Sequence, residues 1–284
     1  MTTTIPSSKV DLHAHVGAER TEGSTVDDYV SHLTAHGVTL AVLTDHFEFY
    51  AGNPNGARTR TYANNLAGYE AFAADFTKAT TDRGTWLFGP EVIISDLESP
   101  LLRDMLAMNA VTYFIAEPSN WHPDETHHEH LVRGIRLAAK LREQTGVPCH
   151  VAHPFWKAMI DFLGQPVGFP ERPPHPPLPP LSTETDADTA TNALFDVDIV
   201  NFAAISREHG VPIEVNGSMW RKVHDIGDPG LTERWIHAFR GLSEITSLVP
   251  GSDLHRLNQY NPPLIPFAEI GVENVSVAHI RNMP

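Results

Sequence analysis

The sequence predicts an α/β fold in which parallel strands alternate with helices along a chain of 284 residues. Short apolar runs rich in β-branched residues recur along the chain, and longer stretches with helical spacing of apolar residues separate most of them. Four of the helical stretches are closed by a glycine (Gly37, Gly84, Gly146 and Gly210), where a left-handed C-terminal cap is favoured. Because helices lie between the strands, we expect parallel strands joined by crossover connections.

The individual elements follow from local pattern. Apolar residues of high β-propensity, bounded by turn-forming residues, predict strands at residues 9–12, 39–44, 86–94, 111–116, 149–152, 212–215 and 247–250. Apolar residues spaced three and four apart predict helices at residues 26–35, 62–81, 131–144, 191–208 and 232–240. So many strands exclude a helical bundle and favour a barrel-like repetition of strand–helix units.

One segment, residues 164–188, interrupts this repetition. It contains the run Pro-Glu-Arg-Pro-Pro-His-Pro-Pro-Leu-Pro-Pro at residues 170–180, followed by a polar, acidic stretch. Proline lacks an amide donor and favours extended geometry, so the run is neither helix nor central strand. We predict a surface insertion, and a lid over a neighbouring site is the alternative. Since no boundary separates the histidine clusters, residues 1–284 are predicted to form a single domain.

The composition restricts partners and compartment. Twenty Lys and Arg against 35 Asp and Glu give a formal charge of -15, which repels the backbone of a long duplex and favours a small-molecule substrate. Nucleotides and short oligonucleotides stay open as partners. Neither a leader nor an apolar run of about 18 residues is visible, which predicts a cytoplasmic protein with no membrane partner. The single cysteine, Cys149, is predicted to be a buried small side chain. The oligomeric state is left open.

Seventeen histidines are the anomaly of the composition. His13 and His15 lie two residues apart in Asp-Leu-His-Ala-His, so on a strand both imidazoles share one face and can share one cation. Neutral imidazole binds zinc, iron or manganese. A pair of exposed histidines is the alternative.

Polar residues also follow the next two strands. Asp45 and His46 come directly after the apolar run 39–44, at the strand end where barrel enzymes place their chemistry. A polar turn is the alternative. Glu91 is a charged residue inside an otherwise apolar strand, and a buried carboxylate requires a partner. We expect it to face a cation or to form a structural salt bridge.

Two more strands end in histidines. His122 lies nearest the end of strand 111–116 and is preferred as a ligand over the histidines at residues 127–130, which fit a solvated helix face. His153 ends strand 149–152 and is predicted to be a ligand, whereas His150 is predicted to pack or to cap.

The last two strands complete the pattern. Glu214 and Asn216 face the same side of their strand, either behind the ligands, in contact with substrate, or in a buried polar network. Asp253 and His255 follow the final strand as two further ligands. Arg256 adjoins them and could hold an anionic phosphate or form a surface salt bridge.

The order of these motifs resembles the PHP family, named for polymerase and histidinol phosphatase. The resemblance extends from Asp11 to His255 through Asp-x-His-x-His, Thr-Asp-His, Gly-x-Glu, a histidine, Ala-His-Pro, Glu-x-Asn and Gly-Ser-Asp-x-His. It implies a distorted (β/α)7 barrel with a metal site at the C-terminal ends of the strands. It also implies two or three divalent ions of zinc, manganese or iron.

The same resemblance implies a ligand set. One metal would be held by His13, His15, Glu91 and Asp253. A second would be held by Glu91, as a bridge, with His122 and His153. A third would be held by His46 and His255. No histidine stands shortly after His15, where the family often has a further ligand, and Glu19 or Glu22 could substitute.

The predicted function is that of a metal-dependent hydrolase, specifically a phosphatase or phosphodiesterase acting on a small phosphorylated molecule. A metal-bridging hydroxide would attack phosphorus, and His255, Asp45 or a metal-bound water would protonate the leaving oxygen. One rival is an amidohydrolase-like enzyme that cleaves a carboxylic ester, lactone or amide. Another is a barrel that binds metal or a ligand without turnover, which the presence of both Glu91 and Asp253 disfavours.

Overall fold

The computed structural model describes residues 4–16, 23–47, 66–93, 100–118, 124–156, 158–159, 193–260, 264–277 and 280. The strands are β1 (Thr4–Pro6), β2 (Val10–His15), β3 (Leu40–Thr44), β4 (His46–Phe47), β5 (Thr85–Phe88), β6 (Glu91–Ile93), β7 (Phe114–Glu117), β8 (Cys149–Val151), β9 (Ala193–Leu194), β10 (Val197–Asp198), β11 (Ile213–Asn216), β12 (Leu248–Gly251) and β13 (Asn274–Ser276). The helices are α1 (Val26–Ala35), α2 (Leu66–Thr80), α3 (Pro100–Ala107), α4 (His127–Thr145), α5 (Ile199–His209), α6 (Gly217–Ile226) and α7 (Pro229–Ile245).

Parallel strands follow one another around the fold. β2, β3 and β5 form one sheet, and β4, β6, β7, β8, β11 and β12 form a second sheet in that order. β3 runs into β4, and β5 runs into β6 after a two-residue break. The segment after β12 returns to β2, because the His15 amide donates to the Leu254 carbonyl at 2.8 Å and the Asp253 amide to the His13 carbonyl at 2.8 Å. The predicted α/β class is confirmed, and this strand order is that of a distorted (β/α)7 barrel.

Alternate residues of the strands enter two separate apolar clusters. Leu40 and Val42 of β3 belong to a small cluster, whereas Ala41 and Leu43 belong to a large one that includes the helices. Since side chains alternate along a strand, the small cluster lies inside the ring of strands and the large one between strands and helices. We call the small cluster the inner apolar cluster. It consists of Val10, Leu12, Leu40, Val42, Tyr113, Ile115, Ala152, Val249, Val275 and Ile280.

An irregularity in β2 orients the residues around its middle. The register with β3 shifts between Asp11 and Ala14. As a result Leu12 joins the inner apolar cluster while its neighbour His13 also points inward, to Glu214. Bulges of this kind re-aim side chains next to functional sites.

The sequence predicted most of these elements. All seven predicted strands occur, and α1 has the predicted bounds. The four capping glycines have positive φ angles of 60° to 82°. Helices α3 and α6 and the β1–β13 pair were not predicted. The insertion predicted at residues 164–188 lies outside the described residues. No helix among the described residues is long and apolar enough to cross a membrane.

One helix prediction was wrong over its first turns. Residues 193–198 form the hairpin of β9 and β10, because Phe195 and Asp196 adopt positive φ angles of 53° and 62° and reverse the chain. Helix α5 begins only after Asp198, whose side chain accepts a hydrogen bond from the Asn201 amide at 3.0 Å. The N-terminal cap therefore overrides the apolar spacing that precedes it.

Candidate metal centre

The C-terminal ends of the strands bring histidines and carboxylates together. β2 contributes two histidines, β4 one, and the second residue after β8 another, while Glu91 opens β6 and two residues follow β12. We call this group the histidine–carboxylate cluster. It consists of His13, His15, His46, Glu91, His153, Asp253 and His255. The structure thus assembles residues that stand more than two hundred positions apart in the sequence.

Glu91 lies at the middle of this cluster and is almost fully buried. Its Oε2 atom lies 2.9 Å from His46 Nδ1, 3.1 Å from His15 Nε2 and 3.5 Å from His13 Nε2. Its Oε1 atom lies 2.9 Å from His153 Nε2. One carboxylate therefore has a different set of imidazoles on each oxygen, which is the geometry that a bridging ligand needs.

Glu214 of β11 holds the inner side of the cluster in place. Its Oε1 atom lies 2.9 Å from His13 Nδ1, which leaves the Nε2 atom of that ring pointing to Glu91. Its Oε2 atom accepts hydrogen bonds from the His153 amide at 2.6 Å and from Asn216 Nδ2 at 3.0 Å. Carboxylates of this type fix the tautomer and orientation of metal-binding imidazoles. Glu214 and Asn216 lie behind the histidines and form part of a buried polar network, so two of the three alternatives describe the same contacts.

Asp253 and His255 close the outer side of the cluster. Asp253 Oδ1 lies 3.6 Å from His15 Nε2 and 3.8 Å from His13 Nε2. The His255 ring stacks on the His15 ring with centroids 4.1 Å apart. Ligand atoms of His15, His46 and His255 all lie within 4.8 Å of one another, as do those of His13, His15 and Asp253. Each trio can surround one divalent cation.

This close approach depends on unusual backbone. A Cβ atom at Gly251 would clash with the Glu214 carboxylate and would lie 2.6 Å from the His13 Cβ atom, so only glycine fits there. His153 and Asp253 adopt positive φ angles of 22° and 52°. Residues without the freedom of glycine are strained in this region, and such strain concentrates at functional sites.

Burial and neighbouring charges lower the pKa values of two carboxylates and raise the pKa of one histidine. Burial alone raises the pKa of Glu91, but His46 and His13 outweigh it and hold the pKa well below its usual value. Burial likewise raises the pKa of Glu214, yet His13 lowers it to about 2. Burial lowers the pKa of His13, and Glu214 with Glu91 raises it well above its usual value. The inner part of the cluster is therefore a set of ionised carboxylates around a protonated imidazole.

The pKa values of His15 and His153 are shifted in opposite directions. Burial, followed by His255 and His46, lowers the pKa of His15 well below its usual value. Burial lowers the pKa of His153 too, but its hydrogen bond to Glu91 raises it to about 9. Neutral imidazole is the form that binds metal, so His15 has its lone pair available, whereas a cation would displace a proton from His153.

Two residues of β8, Cys149 and His150, are buried, as the sequence predicted. His150 is fully buried, its Nδ1 atom lies 3.2 Å from the Tyr113 hydroxyl, and burial lowers its pKa to about 4. It also has a ligand atom within 4.8 Å of those of His13 and Glu214. Burial raises the pKa of the Cys149 thiol to about 12, which excludes a nucleophilic thiolate at neutral pH.

Sequence reasoning missed two residues at the rim of the cluster. Glu117 ends β7, and one of its carboxylate oxygens lies within 4.8 Å of ligand atoms of His46 and Glu91. Burial and Glu91 raise its pKa. Lys222 of α6 places its Nζ atom 3.6 Å from the centroid of the Trp156 ring, which lies 6.1 Å from the His153 ring. A charged residue directly after the predicted strand 111–116 was the available signal for Glu117, whereas α6, which carries Lys222, was not predicted.

Some predicted site residues are not brought into this group. His122, Glu19 and Glu22 lie outside the described residues. Arg256 is exposed, and among the described contacts none joins its guanidinium to the cluster. Asp45 is buried beside the cluster, where its Oδ1 atom accepts the His46 amide at 2.9 Å and its carbonyl accepts the Glu91 amide at 3.0 Å. Its role as proton donor therefore stays a prediction.

The donor atoms fit a divalent metal. Glu91 Oε2 is buried and makes no hydrogen bond within the described residues, although two imidazole nitrogens lie within 3.1 Å of it. Polar atoms that converge without bonding to one another are unfavourable in a protein interior, and a cation between them removes that penalty. The mixture of imidazole and carboxylate donors suits zinc, manganese and iron.

Two solved structures share the fold over nearly their full lengths. The histidinol phosphate phosphatase HisK from Lactococcus lactis subsp. lactis Il1403, in complex with zinc, L-histidinol and phosphate, matches with a TM-score of 0.53 and 12% identity, covering 96% of this chain and 93% of that one. The proposed histidinol phosphatase HisK from Listeria monocytogenes matches with a TM-score of 0.56 and 14% identity, covering 92% and 99%. No family model and no curated protein matches the sequence. At these identities the likeness shows the fold.

Proposed function

We propose that the protein is a metal-dependent phosphoesterase of the PHP type that acts on a small phosphorylated molecule. The observation that supports it most is the position of Glu91, whose two oxygens face four imidazoles at the C-terminal ends of parallel strands. The fold is shared with a histidinol phosphate phosphatase whose structure contains zinc and phosphate. Both observations favour chemistry on a phosphoryl group next to divalent cations.

The proposed ligands are those of the histidine–carboxylate cluster together with His122. His13, His15, Glu91 and Asp253 would hold one cation, Glu91, His122 and His153 a second, and His46 with His255 a third. Bound cations would lower the pKa of water and neutralise negative charge on the phosphoryl oxygens. Glu214 contributes by keeping the Nε2 atom of His13 directed to the cluster.

Lys222 supplies a positive charge at the rim. Its side chain is partly buried over Trp156, next to His153, and burial lowers its pKa. A phosphoryl group held at the cluster would lie near this ammonium group, which binds phosphate as a point charge. Among the basic residues that the structure describes, Lys222 would interact with an anionic substrate more directly than the exposed Arg256.

Where His255 holds no third metal, it would donate a proton to the leaving oxygen. About a third of its side chain is exposed, and its Nδ1 atom lies 3.1 Å from the Asp253 carbonyl. Asp45 is more deeply buried, and its carboxylate already accepts a backbone amide.

The test combines metal analysis with three chromogenic esters. Purified wild type, Glu91→Gln and the control Glu208→Gln, an exposed carboxylate of α5, are assayed on p-nitrophenyl phosphate, bis(p-nitrophenyl) phosphate and p-nitrophenyl acetate. We expect about two or three metal ions per chain and metal-dependent phosphoester cleavage in wild type and control, both reduced in Glu91→Gln.

Other outcomes separate the rivals. Faster turnover of the acetate ester than of both phosphoesters would favour the amidohydrolase-like alternative. Metal binding without turnover of any ester in a broad panel would favour the non-catalytic alternative. Wild type that cannot be loaded with zinc, manganese or iron would contradict the metal centre itself.

A further inference from the structure

We propose that a recess between β2 and β12 binds a small zwitterion of the amino-acid type. The recess is partly open to solvent and lies where β2, β12 and the start of α6 meet. No side chain of the histidine–carboxylate cluster lines it, so the site is separate from the proposed catalytic centre.

Asp11 supplies the negative charge of the recess. Only 2% of the residue is exposed. Its Oδ1 atom accepts the amides of Ser252 at 2.8 Å and His13 at 3.2 Å, which fixes the carboxylate against the backbone of both strands. Its Oδ2 atom is buried and has no hydrogen-bond partner within the described residues. A buried carboxylate oxygen without a partner is unfavourable, so this atom lacks a donor that a ligand can provide.

Ser7 also lines the recess and has the same deficiency. Its residue is 1% exposed, and its hydroxyl has no partner in the part of the chain that the structure describes. Both residues line the recess. A carboxylate next to a hydroxyl suits an ammonium group, which has three donors to distribute between them.

Two further residues that line the recess, Arg221 and Gln259, suit a carboxylate. Arg221 of α6 lines the recess, and within the described residues no ion pair joins its guanidinium to Asp11 or to another carboxylate. Gln259 uses its Oε1 atom to accept the amides of His255 and Arg256, which leaves its amide nitrogen as a donor. A guanidinium can hold a carboxylate through two parallel hydrogen bonds.

These acidic and basic groups together define the class of ligand. An amine alone would leave Arg221 without a counter-ion, and an anion alone would leave Asp11 without a donor. Ile265 and Phe267 complete the lining with apolar surface that a hydrocarbon side chain can cover. A compact molecule with an ammonium group, a carboxylate and an apolar body satisfies all three features.

Isothermal titration of the full-length, metal-loaded protein tests this inference. The probes are valine, leucine, methionine and phenylalanine, with 4-methylpentanoate and 3-methylbutylamine as leucine analogues that lack one charge each. The variants are Ser7→Ala, Asp11→Asn and Arg221→Gln, and Arg207→Gln, which removes an exposed arginine of α5, is the matched control.

We expect at least one amino acid to bind saturably, and binding to weaken about tenfold or more in each recess variant and for both leucine analogues, with no change in the control. Absence of binding by all four amino acids overturns the proposal. So does binding that Ser7→Ala and Arg221→Gln leave unchanged, and these two variants keep the test valid if Asp11→Asn fails to fold. A crystal of the protein with amino acid that shows only water on Asp11 and Ser7 overturns it as well.

Discussion

The inner apolar cluster and the histidine–carboxylate cluster are built on the same strands, often one or two residues apart. Leu12 of β2 belongs to the first and His13 to the second, and Ala152 of the first is followed directly by His153 of the second. The apolar cluster gains free energy from burial. The polar cluster contains strained backbone at His153, an unsatisfied Glu91 oxygen and several like charges. Stability and chemistry are therefore separated along each strand, and substitutions should affect one without the other.

The largest effect should come from the apolar side of this comparison. Ile115→Ala removes a fully buried side chain from the inner apolar cluster and should lower the free energy of unfolding by about 2–5 kcal/mol. Metal affinity of the folded protein should stay unchanged, because no ligand is removed. Urea unfolding and metal titration measure the two quantities, and Val200→Ala, at an exposed position of α5, is the control. A large loss of metal affinity without a loss of stability would contradict the separation.

The next effect lies on the polar side. Glu214→Gln replaces one carboxylate oxygen by an NH2 group, so a donor would face either His13 Nδ1 or the donors of His153 and Asn216 in place of an acceptor. We expect metal affinity to fall about 10–100-fold, the range typical of residues that orient metal ligands. Competition with a chromogenic chelator measures the affinity, and Glu208→Gln serves as control. Unchanged affinity would show that Glu214 does not orient the histidines.

Lys222 should contribute more than Arg256 to the turnover of an anionic substrate. Lys222→Met keeps an aliphatic chain over Trp156 but removes the ammonium group, and kcat/KM for p-nitrophenyl phosphate should fall about tenfold. The exposed Arg256→Met should change it less, and neither variant should alter metal content. Steady-state assays at equal metal loading give the answer. A larger effect of Arg256→Met would restore the assignment made from its position beside Asp253 and His255.

The strand ends were predictable because two local signals coincide there. Each strand is an apolar run, and its last residues change to histidine or carboxylate, so the positions of His13, His46 and His153 at strand ends could be predicted from their neighbours alone. The same reasoning placed Glu91 inside a strand and inferred a charged partner, which its contacts with four imidazoles now describe.

Other features depend on contacts between distant segments. Lys222 lies on α6, whose position over Trp156 results from packing of the chain around β11 and is not encoded in its immediate neighbours. The bulge in β2 that turns both Leu12 and His13 inward breaks simple alternation. The requirement for glycine at position 251 arises only because His13 and Glu214 meet there from two other strands.

The mildest change is a change of pH, which should act on metal binding through the protons that the cluster holds. Burial lowers the pKa of His13 and His153, but contacts with Glu214 and Glu91 raise both, in His153 to about 9. The protonated imidazoles stabilise the folded protein at low pH, and this contribution is lost as the pH rises through about 9. A cation must displace these protons, so metal affinity should rise with pH between neutrality and that value, by about one log unit per pH unit for each displaced proton. Calorimetric titration with metal in buffers of different ionisation enthalpy counts the protons released. Binding heats that do not depend on the buffer would show that His13 and His153 are already neutral, and the two carboxylates would then not control the charge of the imidazoles beside them.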